Sequence, residues 1–326
     1  MPELTFRAER WPLTSAFVIS RGSKVESEVV VAEIVDGSHV GRGEGTPYAR
    51  YGESTESVMR EAELMRQHIE AGISRDQLQK LMSGGAARNM LDCALWDLEA
   101  KRAGVRAWNL AGYSRLRPVE TCFTISLGPP EIMAEAARAN AHRPVLKLKI
   151  GKPDDINAVA AVHRAAPKPR LIVDANESLG FDDLRRLAPE LAQLNVKLLE
   201  QPLPAGQDAQ LEGFQSAIPL CADESLHTRR DLPTCVGRYQ VINIKLDKAG
   251  GLTEALALAT EGRAAGFQVM AGCMVATSLA MAPAIILAQQ AGFVDLDGPL
   301  LLEQDRQPGL TFRDSSIQPP EAELWG

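Results

Sequence analysis

Past Pro118 the chain carries eight short runs of β-type residues that begin anew about every 22 to 27 residues, a rhythm few folds can accommodate. The runs are TCFTISLG (121–128), VLKLKIG (145–151), LIVDANES (171–178), KLLEQPLP (197–204), PLCADES (219–225), VINIKLDKAGG (241–251), QVMAGCM (268–274) and VDLDGPLLL (294–302). Helix-patterned stretches lie between them, and LTEALALATEGRAAG (252–266) is the clearest. Strands alternating with helices at this spacing predict an α/β fold, a TIM-like barrel, with an open doubly wound sheet as the alternative. No GxGxxG follows any of the runs, so the usual sign of a dinucleotide-binding sheet is missing.

The first third has a different texture. EVVVAEIVDGSHVGRGEG (28–45) reads as two strands joined at Asp36-Gly37, a hairpin turn pair. STESVMREAELMRQHIEAG (54–72) opens and closes as a helix does. AARNMLDCALWDLEAKRAG (86–104) puts Met90, Leu91, Ala94, Leu95 and Leu98 on one helical face. Residues 1–118 are therefore expected to form an α+β domain, completed by 303–326, with 119–302 as the barrel.

Composition excludes several classes. A chain 45% hydrophobic and 24% charged builds a core and is not disordered. A net charge of −7 argues against a nucleic-acid partner. The five cysteines, Cys93, Cys122, Cys221, Cys235 and Cys273, are odd in number and show no CxxC spacing, which excludes a disulfide scaffold or structural zinc. Reduced thiols, no signal-type apolar core and no run of about 20 apolar residues predict a cytoplasmic protein without a membrane partner. A homo-oligomer stays open.

Three of the runs start apolar and end acidic. LIV leads to Asp174, LL to Glu200 and PLCA to Asp223. In a parallel barrel the C-terminal strand ends share one rim, which holds the active site. Three carboxylates converging there would repel one another, and such an oxygen set suits Mg²⁺ or Mn²⁺. Unrelated strand-end acids are the competing explanation. In LKLKIG, Lys147 and Lys149 share a strand face, directed into the barrel or, alternatively, outward on a solvated edge. Side by side they would depress each other's pKa and equip a general base. Lys245 lies four strands further on, across the barrel, with Asp247 as a candidate partner. Lys248 lies past the strand end and is expected to be exposed, and His227 to be a loop residue. Metal-stabilised loss of an α-proton between Lys149 and Lys245 would be a two-base racemisation or epimerisation. Thr124 and Ser126 alternate with apolar positions on the first strand, so Thr124 is a candidate hydrogen-bonding partner for substrate.

KxK at 147–149, DANES, EQPLP, ADES and NIKLDKAGG, falling in that order, resemble the enolase superfamily, in particular its muconate-lactonising subgroup. The resemblance runs over nearly the whole chain. It implies a capping α+β domain followed by a (β/α)7β barrel, Lys149 and Lys245 as the acid/base pair, and Asp174, Glu200 and Asp223 as Mg²⁺ ligands. Lys147 would bind the substrate carboxylate and tune Lys149. The subgroup contains cycloisomerases, o-succinylbenzoate synthases, N-acylamino acid racemases and dipeptide epimerases. VDLDGP carries Asp295 and Asp297 in the DxD pattern with which dipeptide epimerases hold an α-ammonium group. Arg21, in AFVISRGSK, resembles the arginine that receives a side-chain carboxylate in epimerases acting on Ala-Glu dipeptides. GCMVATS departs from the Ser-Met-x-Glu-Ser pattern of many relatives, with Cys273 and Ala276 in place of Ser and Glu; Cys273 would meet substrate through its backbone. The expected activity is Mg²⁺-dependent epimerisation of a small dipeptide at its C-terminal residue, L-Ala-D-Glu to L-Ala-L-Glu. The alternatives are an N-acylamino acid racemase, an o-succinylbenzoate synthase, or a non-catalytic metal- or dipeptide-binding protein on the same scaffold.

Overall fold

The computed structural model describes residues 1–326. Strands β1 (Glu3–Ile19), β2 (Gly22–Asp36) and β3 (His39–Gly45) form an antiparallel sheet in that order. The Asp36-Gly37 turn lies between β2 and β3, with Gly37 at φ 61. Val30, Ala32 and Ile34 of β2 pack against helices α1 (Thr55–Glu70), α2 (Arg75–Leu81) and α3 (Ala86–Ala103). Ser54 caps α1 in a box with Ser57. β3 lies directly on α3, because a Cβ at Gly43 would stand only 2.0 Å from the Met90 carbonyl oxygen.

A short helix α4 (Ala107–Leu110) and strand β4 (Val119–Glu120) lead into the barrel. Its strands are β5 (Phe123–Ile125), β6 (Val145–Lys149), β7 (Arg170–Asp174), β8 (Val196–Glu200), β9 (Leu220–Ala222), β10 (Val241–Lys245), β11 (Gln268–Gly272) and β12 (Phe293–Asp295), parallel neighbours in sequence order. The Cys122 N–H donates to the Val294 carbonyl at 2.9 Å and joins the two ends, so the sheet is closed and the open alternative is excluded. Helices α5 (Pro130–Ala139), α6 (Ile156–Ala165), α7 (Phe181–Gln193), α8 (Leu232–Cys235), α9 (Leu246–Ala249), α10 (Leu252–Ala264) and α11 (Ser278–Ala288) fill the connections. Between β8 and β9 the regular alternation fails and leaves only a 3-10 turn, Asp208–Leu211. Pro202, Pro204, Gly206 and Gly213 interrupt that stretch and deny it a helical run.

Strands β13 (Phe312–Arg313) and β14 (Ser316–Ile317) pair with β4. The last residues then run back to the N-terminal sheet and α3. The Glu303 N–H donates to Pro12 O at 2.8 Å, Trp325 Nε1 to Cys93 O at 3.1 Å, and the Gly326 N–H to Asp97 at 2.7 Å. Arg306 ties this tail to β1 and β3 through Glu9 (2.5 Å) and Glu44 (2.8 Å).

Glu44 is fully buried. Burial pushes its carboxyl up, and Arg306 with Thr277 pulls the other way. Arg306→Met leaves that acid without its cation, and such breakage costs about 3–5 kcal/mol. Urea unfolding should show this loss, and adding Glu44→Gln should recover most of it.

Candidate active site

Period-two alternation sorts the barrel interior into layers. The lowest is apolar: Cys122, Val145, Ile172, Leu198, Cys221, Val241, Met270 and Phe293 pack on one another. Two residues further along each strand the interior turns polar, with Thr124, Lys147, Asp174, Glu200, Asp223, Asn243 and Asp295. β11 contributes Gly272 at this level, where a Cβ would stand 2.3 Å from Asn243 Oδ1. Lys149, Lys245 and Asp297 come one step higher, at the C-terminal rim. The strand register sets Lys149 beside Asp174, and Asp174 beside Glu200.

Asp174, Glu200 and Asp223 are brought together. One carboxylate oxygen from each lies within 4.8 Å of the others, all buried. Lysines are interleaved with them. Lys149 Nζ donates to Asp174 Oδ2 at 2.6 Å, and Lys245 Nζ to Asp223 Oδ2 at 2.8 Å. Lys147 Nζ stands 2.6 Å from Asp295, 2.7 Å from Glu200 and 3.3 Å from Asp174. Asn243 Nδ2 donates to Glu200 Oε1 at 2.8 Å, and the Asn176 N–H to Asp174 Oδ1 at 2.9 Å. Glu200 Oε2 forms no hydrogen bond and has only the ion pair with the Lys147 ammonium, at 2.7 Å. An all-oxygen donor set in which one buried oxygen accepts no hydrogen bond fits a hard divalent cation.

The charge balance reverses one expectation. Burial would depress Lys147, yet Asp295, Glu200 and Asp174 outweigh it and hold the ammonium well above its ordinary range. The same holds for Lys245, where Asp223 and Glu200 overcome burial. Carboxylates, not the neighbouring ammonium groups, dominate these two lysines. Burial together with Asp174 raises Glu200, whereas Asp174 and Asp223 are pulled down by their lysines in spite of burial.

Lys248 is not exposed. Its side chain is fully buried and donates to Asp223 Oδ1 at 2.5 Å and to Asn243 O at 3.1 Å. The chain turns into α9 straight after Lys245, which swings Lys248 back beneath the rim. The same turn takes Asp247 away from Lys245. Asp247 accepts from the Thr46 N–H at 2.8 Å and Asn89 at 2.7 Å instead. His227 lies past β9 and meets Tyr51 edge-on at 4.4 Å.

On β12 the two aspartates part company. Asp295 is occupied by Lys147 and the Cys122 thiol (3.1 Å). Asp297 accepts the Thr124 N–H at 2.6 Å and forms no ion pair. Thr124 thus contributes its backbone to Asp297, and Ser126 turns to Ala16 O at 3.5 Å. Half-buried Cys273 follows β11 near both aspartates, and its thiol is pushed up by burial and by their charge.

Two N-terminal cations behave oppositely. Arg21 is engaged by Asn176 O (2.8 Å), Glu177 (3.0 Å), Tyr48 (2.9 Å) and Glu224 (2.7 Å). Lys24, half-buried with no carboxylate partner, is lowered to about 8 by burial and by Lys149 and Lys245. Its place near those lysines depends on the turn after β1, a pairing that the short-range sequence pattern does not carry.

Residues 1–112 match the family described as mandelate racemase / muconate lactonizing enzyme, N-terminal domain, and residues 131–323 match the enolase C-terminal domain-like family. L-Ala-D/L-Glu epimerase of Escherichia coli (strain K12) is 48% identical over 311 residues, 95% of this chain and 97% of the relative. N-acetyl-D-glutamate racemase of Pseudoalteromonas sp is 45% identical, over 91% of this chain and 95% of its own. A crystal structure of an enolase family member from Agrobacterium tumefaciens, with homology to dipeptide epimerases and with bound sodium and L-Ala-L-Glu, superposes at a TM-score of 0.99. It is 48% identical and covers all of both chains.

The buried Lys248 gives the site a testable stability signature. Lys248→Met removes the cation on one side of Asp223 and the ammonium donor to the Asp223 and Asn243 carbonyls, of which Asp223 O keeps the Leu226 N–H. A loss on the order of 3 kcal/mol in urea unfolding is expected.

Proposed function

The chain belongs to the mandelate racemase / muconate lactonizing enzyme family of the enolase superfamily, and we propose that it is a Mg²⁺-dependent dipeptide epimerase acting on the C-terminal residue of L-Ala-D-Glu and L-Ala-L-Glu. The observation that carries this reading is the flanking of an acid cage by Lys149 and Lys245, on strands four apart in an eight-stranded barrel. Bases on opposite sides of one point are what inversion at a carbon requires, and binding alone has no use for them.

Asp174, Glu200 and Asp223 would hold Mg²⁺. When bound, it supplies positive charge against the substrate carboxylate and against the charge that develops there as the α-proton leaves. The amine of one lysine accepts the α-proton, and the ammonium of the other delivers a proton to the opposite face of the same carbon. Configuration inverts, and the composition of the substrate is unchanged. Asp297, without an ion-pair partner, receives the dipeptide α-ammonium, with Asp295 and Lys147 fixing its base. Lys24, the cation without a carboxylate, receives the side-chain carboxylate of Glu; Arg21 is already engaged.

In D₂O, proton NMR of either dipeptide with the native protein and Mg²⁺ should show the Glu α-proton washing out, and chelation should stop it. No exchange from either epimer would end this reading. Lys149→Ala and Lys245→Ala should each reduce epimerisation by at least about 100-fold, while each retains exchange from only one epimer.

An N-acylamino acid racemase is the second reading, favoured by the Pseudoalteromonas relative. The pH profile separates the two. Burial, with Asp295 beside it, pushes Asp297 up to about 7; the Thr124 N–H and Lys147 oppose this. Only the ionised carboxylate holds an ammonium, so kcat/KM for the dipeptide should fall as pH drops through about 7. Asp297→Asn should lose both that limb and most of the turnover.

A further inference from the structure

Two segments of the N-terminal domain reach the barrel mouth: the β1–β2 turn, carrying Ser20 and Arg21, and a 3-10 turn, Ala49–Tyr51. Each presents an arginine, and both arginines meet the same acid. Arg50 forms a forked pair with Glu177, Nη2 to Oε1 at 2.9 Å and Nε to Oε2 at 3.0 Å. Arg21 Nη1 reaches the same Oε2 at 3.0 Å. The Ala205 N–H, from the segment after β8, completes the set at 2.9 Å on Oε1.

The backbone is shaped for this meeting. Asn176 and Glu177 stand at φ 43 and φ 69, left-handed conformations that side chains other than glycine adopt only at a cost. A hydrogen bond from the Glu177 N–H to Gln201 O, at 2.8 Å, holds the turn in place. Its result is a carboxylate raised from the end of β7 to where both arginines arrive. Arg21 has a second arm, 2.7 Å from Glu224, the residue after Asp223. Glu177 itself lies three residues past Asp174. The two loops from the N-terminal domain are thus fastened to the two barrel loops that continue from Asp174 and Asp223.

We propose that Glu177 is a positioning residue, a shared latch for Arg21 and Arg50 that holds both loops closed over the barrel mouth and ties their closure to the loops bearing the acid site. This rests on the proposed function only in taking the mouth as the place where substrate is enclosed. Glu177 needs no contact with substrate. Its effect passes through the two arginines, and Arg21 belongs to the latch while Lys24 stays free for the ligand.

Hydrogen–deuterium exchange of the full-length protein, read by mass spectrometry, tests the latch. Glu177→Gln keeps an acceptor for Ala205 and removes the charge. Exchange in peptides from 17–24 and 46–53 should rise about five-fold, the worth of a partly exposed ion pair, with α1 and β7 unchanged. Arg50→Met should match it in 46–53, and the double variant should add nothing further there. KM for the dipeptide should rise by a similar factor with a smaller change in kcat. Unchanged exchange in both loops overturns the proposal, as does an equal rise throughout the protein. The exchange measurement is made on the free protein and decides the latch even where no dipeptide is turned over. Turnover by a variant with unaltered loops would defeat the latch and leave the epimerase reading standing.

Discussion

Like charges crowded at one barrel rim govern this structure. At an effective dielectric constant near 20, two charges about 5 Å apart repel by roughly 3 kcal/mol. Three such pairs, which Asp174, Glu200 and Asp223 would form if all ionised, come to roughly 10 kcal/mol, comparable to a domain's whole margin of stability. Cations among the acids are therefore a condition of folding. Lys147, Lys149, Lys245 and Lys248 supply them. A divalent ion held by the three acids would supply the same compensation.

The join between the two domains obeys a related rule. α3 lies against the barrel with more than apolar side chains. Asp92 accepts from the Thr253 N–H at 2.9 Å and its hydroxyl at 2.7 Å, Arg88 donates to Gly250 O at 2.9 Å, and Asn89 to Asp247 at 2.7 Å. Directional bonds of this kind fix a register that apolar contact alone would leave free to slide. Because α3 also carries β3 at glycine distance, the loops leaving that sheet arrive over the mouth in one position. The Arg21–Glu177–Arg50 contacts act across that fixed frame.

The barrel was legible because its signal is local and repeated: apolar runs at even spacing, each ending in a chemically distinctive residue. Asp174, Glu200, Asp223, Lys147, Lys149 and Lys245 share a face because side chains alternate along a strand, which can be counted. What escaped the sequence depends on distant pairing or on a turn. Lys248 looked exposed because α9 could not be read from four residues. The 3-10 turn in place of a helix after β8 went unread, and β1 has no alternation clean enough to announce a seventeen-residue strand. Asp295 and Asp297 looked equivalent, and the ion pair of Lys147 with Asp295 is what sets them apart in charge. The contacts of Glu177 with Arg21 and Arg50 join residues more than a hundred apart in sequence, beyond the reach of any periodicity.

The charges left over at the rim describe the ligand best. Once the internal pairs are accounted for, Asp297 is an anion without a cation and Lys24 a cation without an anion. A molecule bearing an ammonium group, a reacting carboxylate and a second carboxylate matches both and still presents one carboxylate to the acid cage. An N-acyl glutamate also matches Lys24, and its amide N–H can donate to Asp297. That neutral donor does much less to offset a buried negative charge. Of the two ligands, the dipeptide with its free ammonium therefore offsets a charge on Asp297 more fully than the N-acyl glutamate does.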